Sequence, residues 1–244
     1  MVTAMKELLK KLLAFLNISV TRNQRYDADT RAILRKILNP DSNGIDIGCH
    51  KGEILDLMLK SAPQGKLFAF EPIPVLFQSL VSKYISNPNV RIFNTALYDT
   101  KGTTSFQHVV NAPAYSGIKK RVYDGRQVNI KPIMVQTDLL DNILPSDVKV
   151  DLIKIDVEGA ELPVMRGSLV TIRRNRPVII FECGLGASEF YGTKPDMVFD
   201  FLTNDCGLFI STLRGFLAGP CNLSRAEFKT FFETGSEYYF VAHP

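Results

Sequence analysis

The 244-residue sequence has no tryptophan, three histidines and four cysteines: Cys49, Cys183, Cys206 and Cys221. So few thiols exclude a disulfide framework, and the lack of any CxxC pair excludes a zinc ribbon. No polybasic block accompanies the net charge of +4, from 29 Lys and Arg against 25 Asp and Glu. Nucleic-acid binding therefore has no compositional support and is not expected. Nor is there an apolar run of membrane-spanning length. Met5, Leu8, Leu9, Leu12, Leu13 and Leu16 recur at helical spacing with Lys6, Glu7, Lys10 and Lys11 on the other side, which predicts an amphipathic helix rather than a span or signal-peptide core. That helix is expected to dock on its own domain or on a partner subunit, which leaves a homo-oligomer open. Peripheral contact with an anionic membrane surface is the second reading. The expected location is the cytoplasm.

What is present is a rhythm. Hydrophobic residues make up 45% of the chain and charged ones 22%, a globular balance, and 16 Gly and 13 Pro punctuate many short elements. Strands are read at 44–48, 66–71, 90–94, 150–156 and 177–182, and helices at 53–61, 75–85, 161–174 and 194–202. Strands apolar on both faces and separated by helices require a parallel sheet covered on both sides. The fold class is α/β, a doubly wound, mostly parallel Rossmann-like sheet. Residues 96–135 depart from the rhythm and read as a strand-and-loop insertion on the functional edge. Residues 207–212 and 237–242 read as terminal antiparallel strands with a loop between them. With no repeat or linker, one domain over 41–244 is expected, preceded by a helical extension over 1–40.

In such a sheet, ligands bind at the carboxyl ends of the strands beside the first strand. That place is Asp46-Ile47-Gly48-Cys49-His50-Lys51-Gly52-Glu53. Gly48 and Gly52 let the backbone turn sharply and approach a ligand. The loop lacks the G-x-G-x-x-G that seats a pyrophosphate, and Asp46 beside the glycines disfavours a diphosphate and favours a cation. Glu71 closes the second strand, where a carboxylate accepts hydrogen bonds from ribose hydroxyls. A nucleoside with positive charge and no phosphate answers this description, and S-adenosylmethionine is one.

A second acidic cluster follows the strand Asp151-Leu152-Ile153-Lys154-Ile155-Asp156, in Val157-Glu158-Gly159-Ala160-Glu161. Lys154 interrupts an apolar strand and needs a partner, which Asp156 or Glu182 can supply. Pro163 is tolerated only in a first helical turn, so Glu158 and Glu161 sit around a helix N-terminus, where acids are stabilised. Capping does not account for Asp156, at a strand's carboxyl end.

The segments NGIDIGCHKGE, FAFEPIP, FNTALYD, YSGIKKR, IKIDVEGAELPVMRG and RPVIIFE, in this order, resemble the FkbM family of S-adenosylmethionine-dependent methyltransferases over residues 44–244. The resemblance implies a seven-stranded sheet with an antiparallel strand in its closing hairpin, and methylation of hydroxyl groups on sugars or other secondary metabolites. It implies that Asp46, Gly48, Cys49 and Gly52 line the methionine part of the cofactor, with His50 and Glu53 in the same loop. Glu71 would bind the ribose, Pro72, Asn94 and Ala96 would border the adenine, and Asp156 and Glu158 would lie near the transferred methyl.

Methyl transfer to an alcohol needs alignment, exclusion of water and a general base. The candidates are Asp156, Glu158, Glu182 and His50; Asp156 or Glu158 is expected in the role, with Lys154 fixing the carboxylate. No metal is expected, although Asp156 and Glu182 at adjacent strand ends offer a variant with Mg²⁺. Tyr115, Ser116, Lys119, Lys120 and Arg121 either grip a small-molecule or glycan acceptor, by stacking or by attracting an anion, or form a solvated loop. Two other readings compete: a non-catalytic nucleoside-binding or assembly module on the same fold, and an NAD-dependent oxidoreductase, against which the missing dinucleotide motif argues.

Overall fold

The computed structural model describes residues 21–244 apart from 124, 126 and 220, so the amphipathic helix expected over 5–16 lies outside the described residues. The strands of the main sheet are β1 (Gly44–Ile47), β2 (Leu67–Phe70), β3 (Val90–Phe93), β7 (Leu152–Ile155), β8 (Val178–Glu182), β9 (Phe209–Thr212) and β10 (Tyr239–His243). They run in the order β3-β2-β1-β7-β8-β10-β9. All are parallel except β10, which is antiparallel to both β8 and β9.

Each strand carries apolar residues on both faces because helices cover both. Ile45, Ile47, Phe68, Phe70, Ile153, Ile155, Ile179, Phe181 and Phe240 join one core with helices α5 (Glu161–Arg166), α6 (Leu169–Asn175), α7 (Pro195–Asp200) and α9 (Arg225–Thr234). Leu67, Ala69, Leu152, Ile180 and Val241 join the other, with α1 (Arg22–Ile37), α2 (Glu53–Ser61), α3 (Pro74–Tyr84) and α8 (Leu213–Ala218). Each such side chain stabilises the fold by about 1.5–3 kcal/mol.

Two expectations need correction, and a third, the strand-and-loop insertion, gains detail. The single helix over 161–174 is two, α5 and α6, broken at Gly167, where a Cβ would lie 2.1 Å from the Tyr98 carbonyl oxygen. The loop between the closing strands contains two helices: Thr212 caps α8, and Ser224 with Glu227 forms a capping box at α9. The insertion is an ordered second sheet, β4-β6-β5, of β4 (Ala96–Leu97), β5 (Gly102–Val109) and β6 (Ile130–Asp138). It rests on the main body through Ile73, Ala96, Phe106 and Val135.

Candidate active site

The strand order turns at β1, with β2 and β3 on one side and β7 and β8 on the other, so a crevice opens at the carboxyl ends of β1 and β7. The turn leaving β1 is stitched down on both sides. Phe70 O accepts the N–H groups of Gly48 and Cys49 at 3.1 and 3.2 Å, and Ile47 O accepts that of Asp156 at 3.1 Å. Gly48 has φ +75°, and a Cβ there would stand 1.9 Å from the Asp156 carbonyl oxygen, so the crossing admits only glycine.

His50 follows with φ +50°, a left-handed conformation that histidine adopts more readily than most residues. Its backbone N–H donates to Glu71 Oε2 at 2.9 Å, and that of Ile73 donates to Glu71 Oε1 at 2.9 Å. Burial pushes the Glu71 carboxyl up to about 7 against the pull of these donors. The imidazole Nδ1 lies 4.0 Å from Glu53 Oε2, while the buried Nε2 has no hydrogen-bond partner among the described residues. Burial holds the His50 pKa below its ordinary value, so the ring is neutral at neutral pH.

Asp46 and Lys154 face each other in register across β1 and β7, Nζ 4.0 Å from Oδ1. Asp46 is wholly buried and neither carboxylate oxygen has a hydrogen-bond partner among the described residues. Its burial pushes the pKa up to about 6, with Lys154 opposing. Lys154 Nζ is also 3.1 Å from Asp156 Oδ2, and Tyr239 Oη donates to that same oxygen at 2.7 Å. Burial works against ionising Asp156, but Lys154, Tyr239 and Glu182 outweigh it and hold the group below the usual carboxylate range. Glu182 goes the other way, well above its ordinary value, because it is buried and beside Asp156 and Glu161. Their mutual proximity drives the two apart, Asp156 towards the anion and Glu182 towards the acid.

The turn after β7 separates the two glutamates assigned to capping. Glu161 is a cap: it accepts the N–H groups of Val157 and Gly159, each at 3.1 Å. Glu158, at φ +58°, instead pairs with Arg121, whose guanidinium stands 5.1 Å from the Tyr115 ring centre. Of the basic group at 119–121, Lys119 is turned away onto Phe190 O at 2.9 Å and the Tyr191 ring. Ser116 accepts the Val109 N–H at 2.9 Å, and Lys120 is exposed.

Two cavities meet here. The first is apolar, walled by Phe70, Ile73, Leu97, Phe106, Ile118 and Ala160, with Glu71, Pro72 and Ala96. The second is polar and holds Asp46, Cys49, Glu53, Lys154, Glu182 and Tyr239. Gly48, His50, Asp156 and Glu158 line both. Two expected site residues face neither cavity. The Asn94 amide donates to the carbonyls of Glu71 and Pro72 at 2.9 and 3.0 Å, pinning the loop, and Gly52 starts α2 with its carbonyl accepting from Tyr84 Oη at 3.0 Å. Sequence reasoning did not identify Tyr239, although its place opposite Glu182 follows from pairing the closing strands; nor did it identify Asn23, Asp27 and Arg31 of α1, which also line the second cavity. Glu158 joins Asp156 and Glu182 with carboxylate oxygens within 4.8 Å of one another.

No helix among the described residues is long and apolar enough to cross a membrane. The family model described as the Methyltransferase FkbM domain matches residues 46–209. A 2-O-methyltransferase, NoeI of Sinorhizobium fredii, is 30% identical over 159 residues, covering 60% of this chain and 65% of that protein. Methyltransferase sdnD of Sordaria araneosa is 27% identical over 152 residues, covering 50% and 59%. The match therefore spans less than two thirds of either relative. The crystal structure of methyltransferase FkbM from Methylobacillus flagellatus KT shares the fold, with a TM-score of 0.52 at 13% identity over 84% of this chain and 44% of that one. The matched span opens on the buried acid of β1 and takes in every strand of the crevice but β10, and by it the chain belongs to the FkbM methyltransferase family.

Proposed function

We propose that the protein transfers a methyl group from S-adenosylmethionine to a hydroxyl of a sugar or related secondary metabolite. The observation that carries this reading is the arrangement of buried acids around the Gly48 turn. The Asp46 carboxylate makes no hydrogen bond among the described residues beyond its ion pair with Lys154, and Glu71 closes an apolar cavity. These residues fit a cationic nucleoside: Glu71 would hold the ribose, Phe70, Ile73, Leu97 and Phe106 the base, and Asp46, Gly48 and Asp156 the charged end. S-adenosylmethionine supplies there an electrophilic methyl group on a sulfonium and departs as S-adenosylhomocysteine.

The chain's own task is to place the acceptor oxygen and take its proton. Among the four candidate bases, Asp156 is stabilised as an anion by Lys154 and Tyr239, Glu158 is paired with Arg121, and Glu182 is pushed towards its acid form. The first two are thereby weak bases, and the third is drawn away from the ionised form a base needs. His50 is neutral, its Nδ1 faces the Glu53 carboxylate, which favours the proton on that nitrogen, and its Nε2 is free to accept one. His50 thus removes the hydroxyl proton, and Asp156, held by Lys154 and Tyr239, orients the reacting groups.

The test measures thermal stabilisation by S-adenosylmethionine, then release of S-adenosylhomocysteine with labelled methyl on glycan acceptors. The His50→Gln variant should bind the nucleoside normally and lose about 10²–10⁴-fold in kcat. Absence of stabilisation by S-adenosylmethionine would sink the cofactor assignment, and unchanged turnover in the variant would sink the base.

A further inference from the structure

Asn23, Asp27 and Arg31 stand at i, i+4 and i+8 along α1, hence on one helix face, and all three line the second cavity. They lie ahead of the span shared with the family. The helix that carries them is fixed. A capping box at Thr21 starts it, and Tyr26, Thr30, Ile33 and Leu34 are buried beneath it. Tyr26 donates to Glu237 and packs on the rings of Tyr238 and Tyr239, centres 4.8 and 5.1 Å away. Since Tyr239 holds Asp156, the α1 face keeps a set position relative to the centre of the site.

The cavity's charge has a definite sense. Its cations are Arg31, Arg121 and Lys154; Arg121 is paired with Glu158 and Lys154 with Asp46 and Asp156, while Asp27 lies one turn before Arg31 on α1. Glu53, Glu161 and Glu182 add further acid. Seven carboxyl groups line the cavity against three cations, so an anionic acceptor would meet more repelling groups than attracting ones. Hydroxyl and ammonium groups would instead meet the Asp27 carboxylate and the Asn23 amide, whose oxygen also accepts from Tyr238 Oη, and Tyr115, Tyr238 and Tyr239 supply ring surface for the C–H faces of a sugar.

We propose that this face of α1 is the acceptor-recognition wall, and that it selects a polyhydroxylated acceptor without negative charge, a neutral or amino sugar, over an acidic one. The proposal rests on the methyltransferase reading above. Its test is saturation-transfer NMR in the presence of S-adenosylhomocysteine, with methyl glucoside, methyl glucosaminide and methyl glucuronide as probes. The first two should bind, and the glucuronide at least about tenfold more weakly. Asp27→Ala and Arg31→Ala, both at exposed positions, should each weaken glucoside binding about fivefold and leave affinity for S-adenosylhomocysteine unchanged. Glucuronide binding as tight as glucoside, no binding of any probe, or unaltered glucoside affinity in both variants would overturn the proposal. A protein that does not bind S-adenosylhomocysteine at all would instead refute the underlying reading, whatever the glycosides do.

Discussion

The cavity beside β2 is walled by aromatic and aliphatic side chains and carries one acid of its own, Glu71, whereas the cavity beneath α1 is lined by paired charges from five separate stretches of chain. The first selects by shape and by one carboxylate, and its wall is mostly supplied by two β-α turns and the small sheet. The second selects by the balance of charge, and no single motif builds it. On the proposed function, a planar, largely apolar group fits one and a hydroxylated group the other, with His50 and Asp156, which line both, between them.

Removing the ammonium that anchors the charged cavity breaks the contrast most severely. Lys154→Met leaves Asp46 and Asp156 without their buried counter-charge and should cost about 3–5 kcal/mol, read as a fall in chemical-denaturation midpoint. A variant as stable as the wild type would show that the carboxylates have other partners.

A smaller effect, in pH, sharpens the comparison. Asp46 and Glu71 have folded-state pKa values of about 6 and about 7, above those of carboxylates in an unfolded chain, because both are buried. The folded protein holds protons that the unfolded chain has released. The stability this contributes is complete below about pH 4 and is lost as pH rises through 6 and 7. A cationic nucleoside needs both groups ionised, so affinity for S-adenosylmethionine should rise over that window, by up to about tenfold per pH unit for each group, with release of protons. Calorimetry in buffers of different ionisation enthalpy checks this, and Glu71→Gln should flatten the upper part of the curve. The same affinity at about pH 5.5 and 7.5 would count against it.

Chelation should have the smallest effect, none. Lys154 and Arg121 offset two of the three clustered carboxylates, and the third, Glu182, is pushed towards its acid form, which leaves a hard cation little to bind. Loss of turnover in EDTA, restored by Mg²⁺, would reverse that conclusion.

The contrast between the cavities also decides what could be read from the sequence. The shape-selecting side is local: a strand, two glycines and an acid at Gly44–Ile47 and its turn, then Glu71 before Pro72, all fall within contiguous stretches whose geometry is set by backbone rules. The alternation of apolar strands and helices gave the sheet for the same reason. The charged side depends on pairings between remote segments. Arg121 with Glu158, Tyr239 with Asp156, and the face of α1 over all of them arise from tertiary packing, which spacing along the chain does not encode. Of the helices after β9, α8 spans only Leu213–Ala218 with Gly215 inside it, too short and too glycine-rich for a periodic signal, whereas α9 carries a legible one in its Ser224–Glu227 capping box. The break at Gly167 comes from a carbonyl of a segment far away in sequence.

The place of β10 bears on how the site comes into being. It slots between β8 and β9, both of which precede it in the chain, so the sheet has a gap until this strand enters. Asp156 and Tyr239 are 83 residues apart, and their hydrogen bond is therefore a long-range contact whose loop-closure entropy delays it. The crevice can form early around β1, β2 and β7, but its central carboxylate gains its hydroxyl partner, and α1 its seat on Tyr238 and Tyr239, only at insertion. The site that the proposed function needs is thus completed by a strand outside the segment that defines the family.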